Sequence, residues 1–124
     1  MPRSVLVAYA SRSGSTQEMA EEVARILKEA GLRVQTAPVT DVADLSDYDG
    51  VVMGSAVYAG KWLAEARRFV QRFQPSLAVL RVAAFSAGVS ARTGDPAKRE
   101  ELLRAMDPLR AVAPLRSEAA FAGK

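Results

Sequence analysis

The stretch VLVAYASRSGSTQEMAEEVA, residues 5–24, joins an apolar run to a helical pattern through a short polar turn. Residues 4–9 are mostly apolar without alternation, which is typical of a strand buried on both faces of a sheet. After the turn, apolar residues recur at helical spacing. We expect these side chains to form the buried stripe of the helix: Met19, Val23, Ile26, Leu27 and Ala30. The order strand, turn, helix predicts the start of an alternating α/β fold.

The ends of this helix are marked by polar and glycine residues. Ser15 and Glu18 have the spacing of a capping box, which predicts a helix start at Ser15 or Thr16. Gly31 lies where a left-handed C-cap is expected. The first helix should therefore begin beside the polar turn and end at this glycine.

The same alternation continues along the chain. Strand composition recurs in four further segments: residues 32–37, 50–57, 81–88 and 118–124. One helical pattern runs from Trp62 and stops at Pro75, and another follows Asp95, an expected N-cap, and ends before Pro108. Alternating strands and helices predict one α/β domain, residues 1–124, with parallel strands in an open sheet.

The composition limits the chemistry that side chains alone can perform. The chain has 124 residues with no cysteine and no histidine, which excludes disulfides, thiol nucleophiles, iron–sulfur ligation and Ser-His-Asp catalysis. No metal site is expected, since carboxylates alone seldom build one. We therefore predict a chain that binds a ligand or holds a cofactor with its own chemistry.

The N-terminal residues and the charge distribution bear on location and partners. The start MPRSVLVAYA lacks a signal-peptide cleavage pattern, and no apolar run approaches the ~20 residues that cross a bilayer, so we expect a cytoplasmic protein. Residues 1–60 carry five Lys or Arg and eight Asp or Glu, whereas residues 61–124 carry twelve and six. The basic half either faces an acidic partner, an anionic substrate or a membrane surface, or forms solvated helix faces. Its aromatic residues are not interleaved with basic ones, so no nucleic-acid partner is expected.

Three loops of unusual composition follow predicted strands: residues 10–16, 55–62 and 86–95. The carboxyl ends of parallel strands lie along one edge of the sheet, here called the rim, so we expect these loops to meet there. Ligands of open α/β sheets bind beyond this edge, where the strand order reverses. The sequence therefore predicts a binding site at the rim.

The first of these loops has the features of an anion site. Hydroxyl side chains surround one glycine: Ser11, Ser13, Gly14, Ser15 and Thr16. The unpaired amides of the following helix attract negative charge, and a phosphate monoester of charge about −1.5 to −2 fits such a turn. The alternative is that these residues only cap the helix, which leaves the first two serines unexplained. P-loop and G-x-G-x-x-G motifs are absent, and Ser13 has no histidine to activate it.

At these residues the chain resembles flavodoxin-like domains. Ser11 to Thr16 match the family's phosphate loop, [ST]-x-[ST]-G-x-T, and DLSDYDGVVMGSAVYAGKW at 44–62 and FSAG at 85–88 are also similar. The resemblance covers essentially the whole chain and is strongest toward the branch that contains menaquinone-dependent protoporphyrinogen oxidases. It implies a three-layer α/β fold, with an open parallel five-stranded sheet in the order 2-1-3-4-5, and FMN as the cofactor.

The resemblance also implies which residues hold the FMN. The phosphate would lie among Ser11, Arg12, Ser13, Gly14, Ser15 and Thr16. The isoalloxazine ring would lie between Ala56, Val57, Tyr58, Ala59 and Gly60 on one side and Ser86, Ala87, Gly88 and Val89 on the other. Tyr58 and Trp62 offer stacking faces, although Trp62 alternatively packs against the core at a helix end. From charge alone, and not from the resemblance, Arg12, Lys61 or Arg92 near the ring or the phosphate would favour the anionic reduced flavin.

Two departures from the family affect what is expected. Flavodoxins that serve as electron carriers are usually strongly acidic, and this chain is not. The family's last helix, after the fifth strand, is missing from a sequence that stops at Lys124, which would bare apolar side chains on one face of the sheet. We therefore expect a homo-oligomer if the chain is naturally this short, or else a truncated chain.

Three functions remain open at this point. The leading one is an FMN-binding redox protein that exchanges electrons with a redox partner protein or a quinone. The second is a quinone-linked flavin oxidase of the protoporphyrinogen oxidase type, whose basic half would reach a membrane surface or an anionic porphyrin. The third is a truncated or engineered scaffold that binds flavin weakly or not at all. None of them requires a catalytic side chain.

Overall fold

The computed structural model describes residues 3–11, 14–58, 60–88, 96–113 and 115–122. The strands are β1 (Ser4–Ala10), β2 (Arg33–Pro38), β3 (Gly50–Tyr58), β4 (Lys61–Trp62), β5 (Arg81–Gly88) and β6 (Leu115–Ala122). The helices are α1 (Ser15–Glu29), α2 (Ala64–Arg72), α3 (Gln74–Val79), α4 (Pro96–Arg104) and α5 (Asp107–Arg110), with a 3-10 turn at Val39–Asp41. The predicted alternation of strands and helices is confirmed.

The five long strands run parallel in the order β2-β1-β3-β5-β6. With β4 set aside, this is the expected order 2-1-3-4-5, and β2 and β6 form the edges. The short strand β4 pairs antiparallel with the end of β3, so that Val57 lies opposite Trp62 and Tyr58 opposite Lys61. A β3–β4 hairpin, residues 57–62, therefore stands where the sequence predicted a loop.

Side chains of the central strands alternate between the two faces of the sheet. On one face, called the packed face, the buried strand residues are Leu6, Ala8, Val51, Met53, Val82 and Ala84. Helices α2, α3 and α5 cover them with the buried side chains of Phe69, Leu77 and Leu109. The larger of the two buried apolar clusters in the described residues lies on this face.

The opposite face, called the α1 face, is covered differently. Val7 and Phe85 belong to one small buried cluster with Ala20 and Ala24 of α1. The ring of Phe85 lies over Gly54 of β3, because a Cβ atom at Gly54 would stand 2.0 Å from Cζ of that ring. One aromatic side chain thus fills the space above a glycine in the middle of the sheet.

A groove of about 230 Å³ also opens toward the amino ends of the strands. Its apolar lining includes Val5, Leu27, Leu32, Val52 and Ala83. Arg3 and Arg81 line it as well. Among the described residues, α1 is the helix that packs in the cluster of this face. Val52 and Ala83, two of these lining residues, are half-buried.

The structure corrects two predictions about α1. Gly14 is the N-cap residue, in a left-handed conformation, and in the described part of the turn no side-chain hydrogen bond caps the helix, so the capping box expected at Ser15 is wrong. Ile26 and Ala30, expected in the buried stripe, are exposed (Ile26 by 52%), whereas Ala20 and Ala24 are buried. Small residues at the contact let the helix lie close to the sheet.

Other helix ends follow familiar rules. Gly31 takes the expected left-handed conformation, with φ of 93°, at the end of α1. Pro75 and Pro108 stand in the first turns of α3 and α5, where proline fits because a first-turn amide has no partner within the helix. These prolines therefore open two short helices that the sequence analysis missed. Asp95, the expected cap of α4, lies outside the described residues. In the described ranges, no helix combines the length and apolar content that a membrane span requires.

Candidate functional site

The carboxyl ends of the central strands lie side by side. In the parallel register, Ala10 pairs with Ser55, Ser55 with Ser86, and Ser86 with Ala120. The turn after β1, the hairpin after β3 and the end of β5 all leave the sheet at or just beyond this line. The structure thus brings the described parts of the three predicted loops to one rim.

The turn after β1 is held by its own hydrogen bond. Ser11 Oγ accepts a 3.0 Å bond from the backbone N–H of Gly14. Gly14 has φ of 88° and ψ of −14°, a conformation that costs a residue with a side chain about 1 kcal/mol or more. The Ser11 oxygen therefore supports the turn as an acceptor, and the Ser11 hydroxyl can also donate its proton to an anion. Arg12 and Ser13 lie outside the described residues.

Helix α1 begins directly after this turn, with Ser15 as its first residue. None of the described side chains caps this helix end, and the amides of its first turn face the rim. Thr16, in the same turn, is buried, with 1% of its surface exposed. A phosphate group fits this end, since the amides bond its oxygens and the helix dipole favours its charge.

The β3–β4 hairpin carries an aromatic residue at the rim. Tyr58 is 68% exposed, whereas Ala56 and Val57 are half-buried. Gly60 has φ of 78°, so any other residue would be strained in this tight turn. Ala59 lies outside the described residues. The hairpin can therefore offer the flat face of Tyr58 to a ligand.

Two fully buried serines lie behind the hairpin, in register on neighbouring strands. Ser86 Oγ accepts a 2.7 Å hydrogen bond from Nε1 of Trp62. Ser55 Oγ accepts a 3.1 Å bond from the N–H of Leu63 and donates a 2.8 Å bond to the carbonyl of Ala56. Trp62 itself is 1% exposed, so of its two interpretations the packing against the core is confirmed, and the alternative role as a stacking face is wrong.

Sequence reasoning placed Ser86 against a ligand and did not find this serine pair. The structure bonds the Ser86 hydroxyl to an indole, 24 residues away along the chain. The sequence did contain a sign of such a bond, because Ser86 lies inside an apolar strand and a buried hydroxyl needs a hydrogen-bond partner. Ala87 is also buried and Gly88 ends β5, while Val89 and Arg92 lie outside the described residues.

A tyrosine near the end of β1 has a perturbed proton affinity. Burial raises the pKa of Tyr9 above its ordinary value, and the negative charges of Glu21 and Asp41 raise it further. The phenol therefore stays neutral at neutral pH and adds no negative charge near the end of β1.

The strand order and the loops that converge on the rim define a doubly wound α/β domain, in which the turn after the first strand leads directly into the first helix. The profile of the flavodoxin domain family matches residues 6–123. The chain belongs to this family, and the resemblance drawn from the sequence is confirmed. Family membership supports FMN as the cofactor.

Individual relatives agree with this assignment. The chain is 30% identical over 96 residues to protoporphyrinogen IX dehydrogenase [quinone] of Escherichia coli (strain K12), covering 76% of this chain and 52% of that protein. It thus spans about half the length of the curated relatives it matches. Flavodoxin 2 from Bacillus cereus is 25% identical with a TM-score of 0.75, covering 97% and 84% of the two chains. A flavoprotein from Lactobacillus acidophilus NCFM, solved in complex with FMN, is 15% identical with a TM-score of 0.72, covering 95% and 93%.

Proposed function

We propose that the protein is a redox protein that binds FMN at the rim and transfers electrons through it. The phosphate would be held by the turn after β1 and the first turn of α1, that is, by Ser11, Arg12, Ser13, Gly14, Ser15 and Thr16. One observation carries this proposal: the N-terminus of α1 directly follows left-handed Gly14 at the carboxyl edge of an open parallel sheet, and none of the described side chains caps it.

The isoalloxazine ring would lie between the β3–β4 hairpin, with Ala56 just before it, and the end of β5. The residues on the two sides are Ala56, Val57, Tyr58, Ala59 and Gly60, and Ser86, Ala87, Gly88 and Val89. The exposed ring of Tyr58 would cover one face of the heterocycle and exclude water from it. Ser86 would act through its position in the strand, since its hydroxyl is bonded to Trp62. FMN, when bound, accepts and donates one or two electrons, so no side chain needs to be an acid, base or nucleophile.

Titration with FMN and riboflavin tests this proposal. The wild type should quench FMN fluorescence at lower protein concentration than riboflavin fluorescence, because only FMN has the phosphate. Gly14→Ala should weaken FMN binding about tenfold or more, since it disturbs the turn that leads into α1. Gly31→Ala is the matched control: it changes a second left-handed glycine, at the other end of α1, and should leave FMN binding unchanged. Equal affinity of the wild type for both flavins would contradict the phosphate site.

A second candidate function is a quinone-linked flavin oxidase. It is favoured by the 30% identity to the Escherichia coli protoporphyrinogen IX dehydrogenase, of which this chain spans about half. FMN-loaded protein should then reduce a soluble quinone when supplied with protoporphyrinogen. Flavin binding without such turnover would leave the electron carrier, and no flavin binding would leave a scaffold.

We propose that the protein exchanges electrons with a redox protein or a quinone. We also propose that it is located in the cytoplasm. The basic residues of 61–124 would bring the protein to anionic membrane surfaces. Vesicles with anionic lipid should bind more protein than neutral vesicles, and added salt should abolish the difference. Fractionation of native cells checks the location.

We also propose that the chain self-associates through the groove of the α1 face. Val52 and Ala83 are only half-buried there, and apolar surface of this kind favours a partner. Sedimentation should show a concentration-dependent oligomer, and Val52→Lys should shift it toward monomer. A wild type that is monomeric at all concentrations would contradict this association.

A further inference from the structure

We propose that Ser86 is a positioning residue for the flavin site. Its hydroxyl, acting through Trp62, sets the place of the β3–β4 hairpin relative to the end of β5. This inference rests on the proposed function, because the hairpin and the end of β5 are the two groups proposed to flank the ring.

The hairpin is weakly held by the sheet itself. Within the described residues, β4 has two residues and pairs with β3 alone. The two pairs between β3 and β4, Val57 with Trp62 and Tyr58 with Lys61, both lie inside the hairpin. They therefore fix the shape of the hairpin and not its tilt toward β5. The ladder between β3 and β5 is described through the pair Ala56 and Ala87, just before the hairpin. Beyond it, Trp62 Nε1 of β4 donates a 2.7 Å side-chain hydrogen bond to Ser86 Oγ of β5.

This link is well suited to hold a position. Both partners are fully buried, so water cannot replace either of them without entering the core. The indole is fixed from its backbone as well, because Arg67 Nε donates a 3.2 Å bond to the carbonyl of Trp62. Ser55 lies in register with Ser86, and its Oγ accepts a hydrogen bond from the N–H of Leu63, the residue after Trp62. The serine pair thus anchors the hairpin and the start of α2 on two adjacent strands.

Loss of the Ser86 hydroxyl leaves a buried indole N–H without its acceptor. The hairpin then has to move until the N–H reaches another partner, which changes the spacing of the two groups around the ring. The turn before α1 is not part of this link, so the contribution of the phosphate to binding stays the same. The variant therefore separates ring binding from phosphate binding.

Ser86→Ala tests the inference with FMN and riboflavin. We expect both flavins to bind about tenfold more weakly, with the ratio of their dissociation constants unchanged. At saturating FMN, the visible absorption spectrum and the midpoint potential should differ from those of the wild type, which a loss of global stability alone would not cause. Ser46→Ala is the matched control, since it removes an exposed serine hydroxyl that bonds Asp44, away from the serine pair.

Trp62→Phe removes the donor and leaves the acceptor. It should shift the same spectrum and potential, and the double variant should be no worse than the stronger single variant. It also decides the question if Ser86→Ala does not fold. A Ser86→Ala protein with wild-type affinities, spectrum and potential would overturn this inference and leave the proposed function intact. A wild type that binds neither flavin would overturn the proposed function, and this inference with it.

Discussion

The packed face and the α1 face of the same sheet are covered in opposite ways. In the described residues, the packed face lies under α2, α3 and α5 together with Leu103 of α4, and its strand side chains are buried almost completely. The α1 face is covered by one long helix and the ring of Phe85, and it leaves a groove beside Val52 and Ala83. Neighbours on β3 therefore differ: Met53 is fully buried, whereas Val52 is half-buried. The cost of a substitution should depend on the face to which a side chain points.

The largest expected effect is a truncation on the packed face. Met53→Ala should lower the free energy of unfolding by about 2–5 kcal/mol, because it removes buried surface and leaves a cavity under fixed helices. Val52→Ala should cost less than about 1 kcal/mol, since this side chain already borders solvent. Urea titrations of both variants give the two values. Equal losses would break the comparison of the faces.

The contact between Gly54 and Phe85 should give the next effect. Gly54→Ala should destabilise the protein by about 1–3 kcal/mol, because the new Cβ atom would overlap the buried ring. In a Phe85→Ala background the same change should cost much less, since the ring is gone. A double-mutant cycle measured by chemical unfolding checks this coupling. Additive costs would show that the ring does not lie on the glycine.

Enlarging two neighbouring alanines tests the same difference between the packed face and the α1 face by adding side-chain volume. Ala84 is buried on the packed face, and Ala84→Leu should cost about 1–2 kcal/mol by overpacking. Ala83 lines the groove, and Ala83→Leu should be neutral or slightly stabilising because the added carbons enter open space. Thermal unfolding midpoints should rank the two variants in this order, and the reverse order would contradict the assignment of the faces.

The smallest effect concerns Tyr9, which lies on the α1 face. Its pKa is raised in the folded protein, chiefly by burial. Below the ordinary value of 10.0, the phenol is protonated in both folded and unfolded chains, so its contribution to stability is fully present. Above that value the unfolded chain loses the proton first, and stability falls. Thermal midpoints from about pH 8 to about pH 11 should fall less steeply for Tyr9→Phe than for the wild type.

Most of the fold was predictable because its signals are local. The buried strands are unbroken apolar runs, and β5 was predicted with the bounds that the structure has. β4 was not predictable, since two residues have no periodicity and their place depends on a bond to a distant strand. The start of α1 was correct but its cap was not, because a glycine in a left-handed turn replaced the expected hydroxyl cap.

The location of the candidate site was predictable for a similar reason. Strand ends and helix starts can be read from the sequence, and parallel pairing then brings them to one edge. The use of each hydroxyl was not predictable. Ser11 and Ser86 were both expected at the ligand, and the sequence did not show that Ser11 Oγ also accepts a bond within its own turn or that Ser86 Oγ accepts one from an indole. Such partners are set by tertiary packing, which composition and spacing do not reveal.

The common register of β1, β3 and β5 determines where the chain tolerates changes of length. One residue inserted into β3 before Ser55 would turn that serine to the other face and break its bond to Leu63. Residues added beyond Gly88 or at the tip of the hairpin lengthen a connection between fixed ends, at about 0.6 kcal/mol per doubling of loop length. Variation in ligand chemistry should therefore accumulate by growth outside the strands, while their reading frame stays constant.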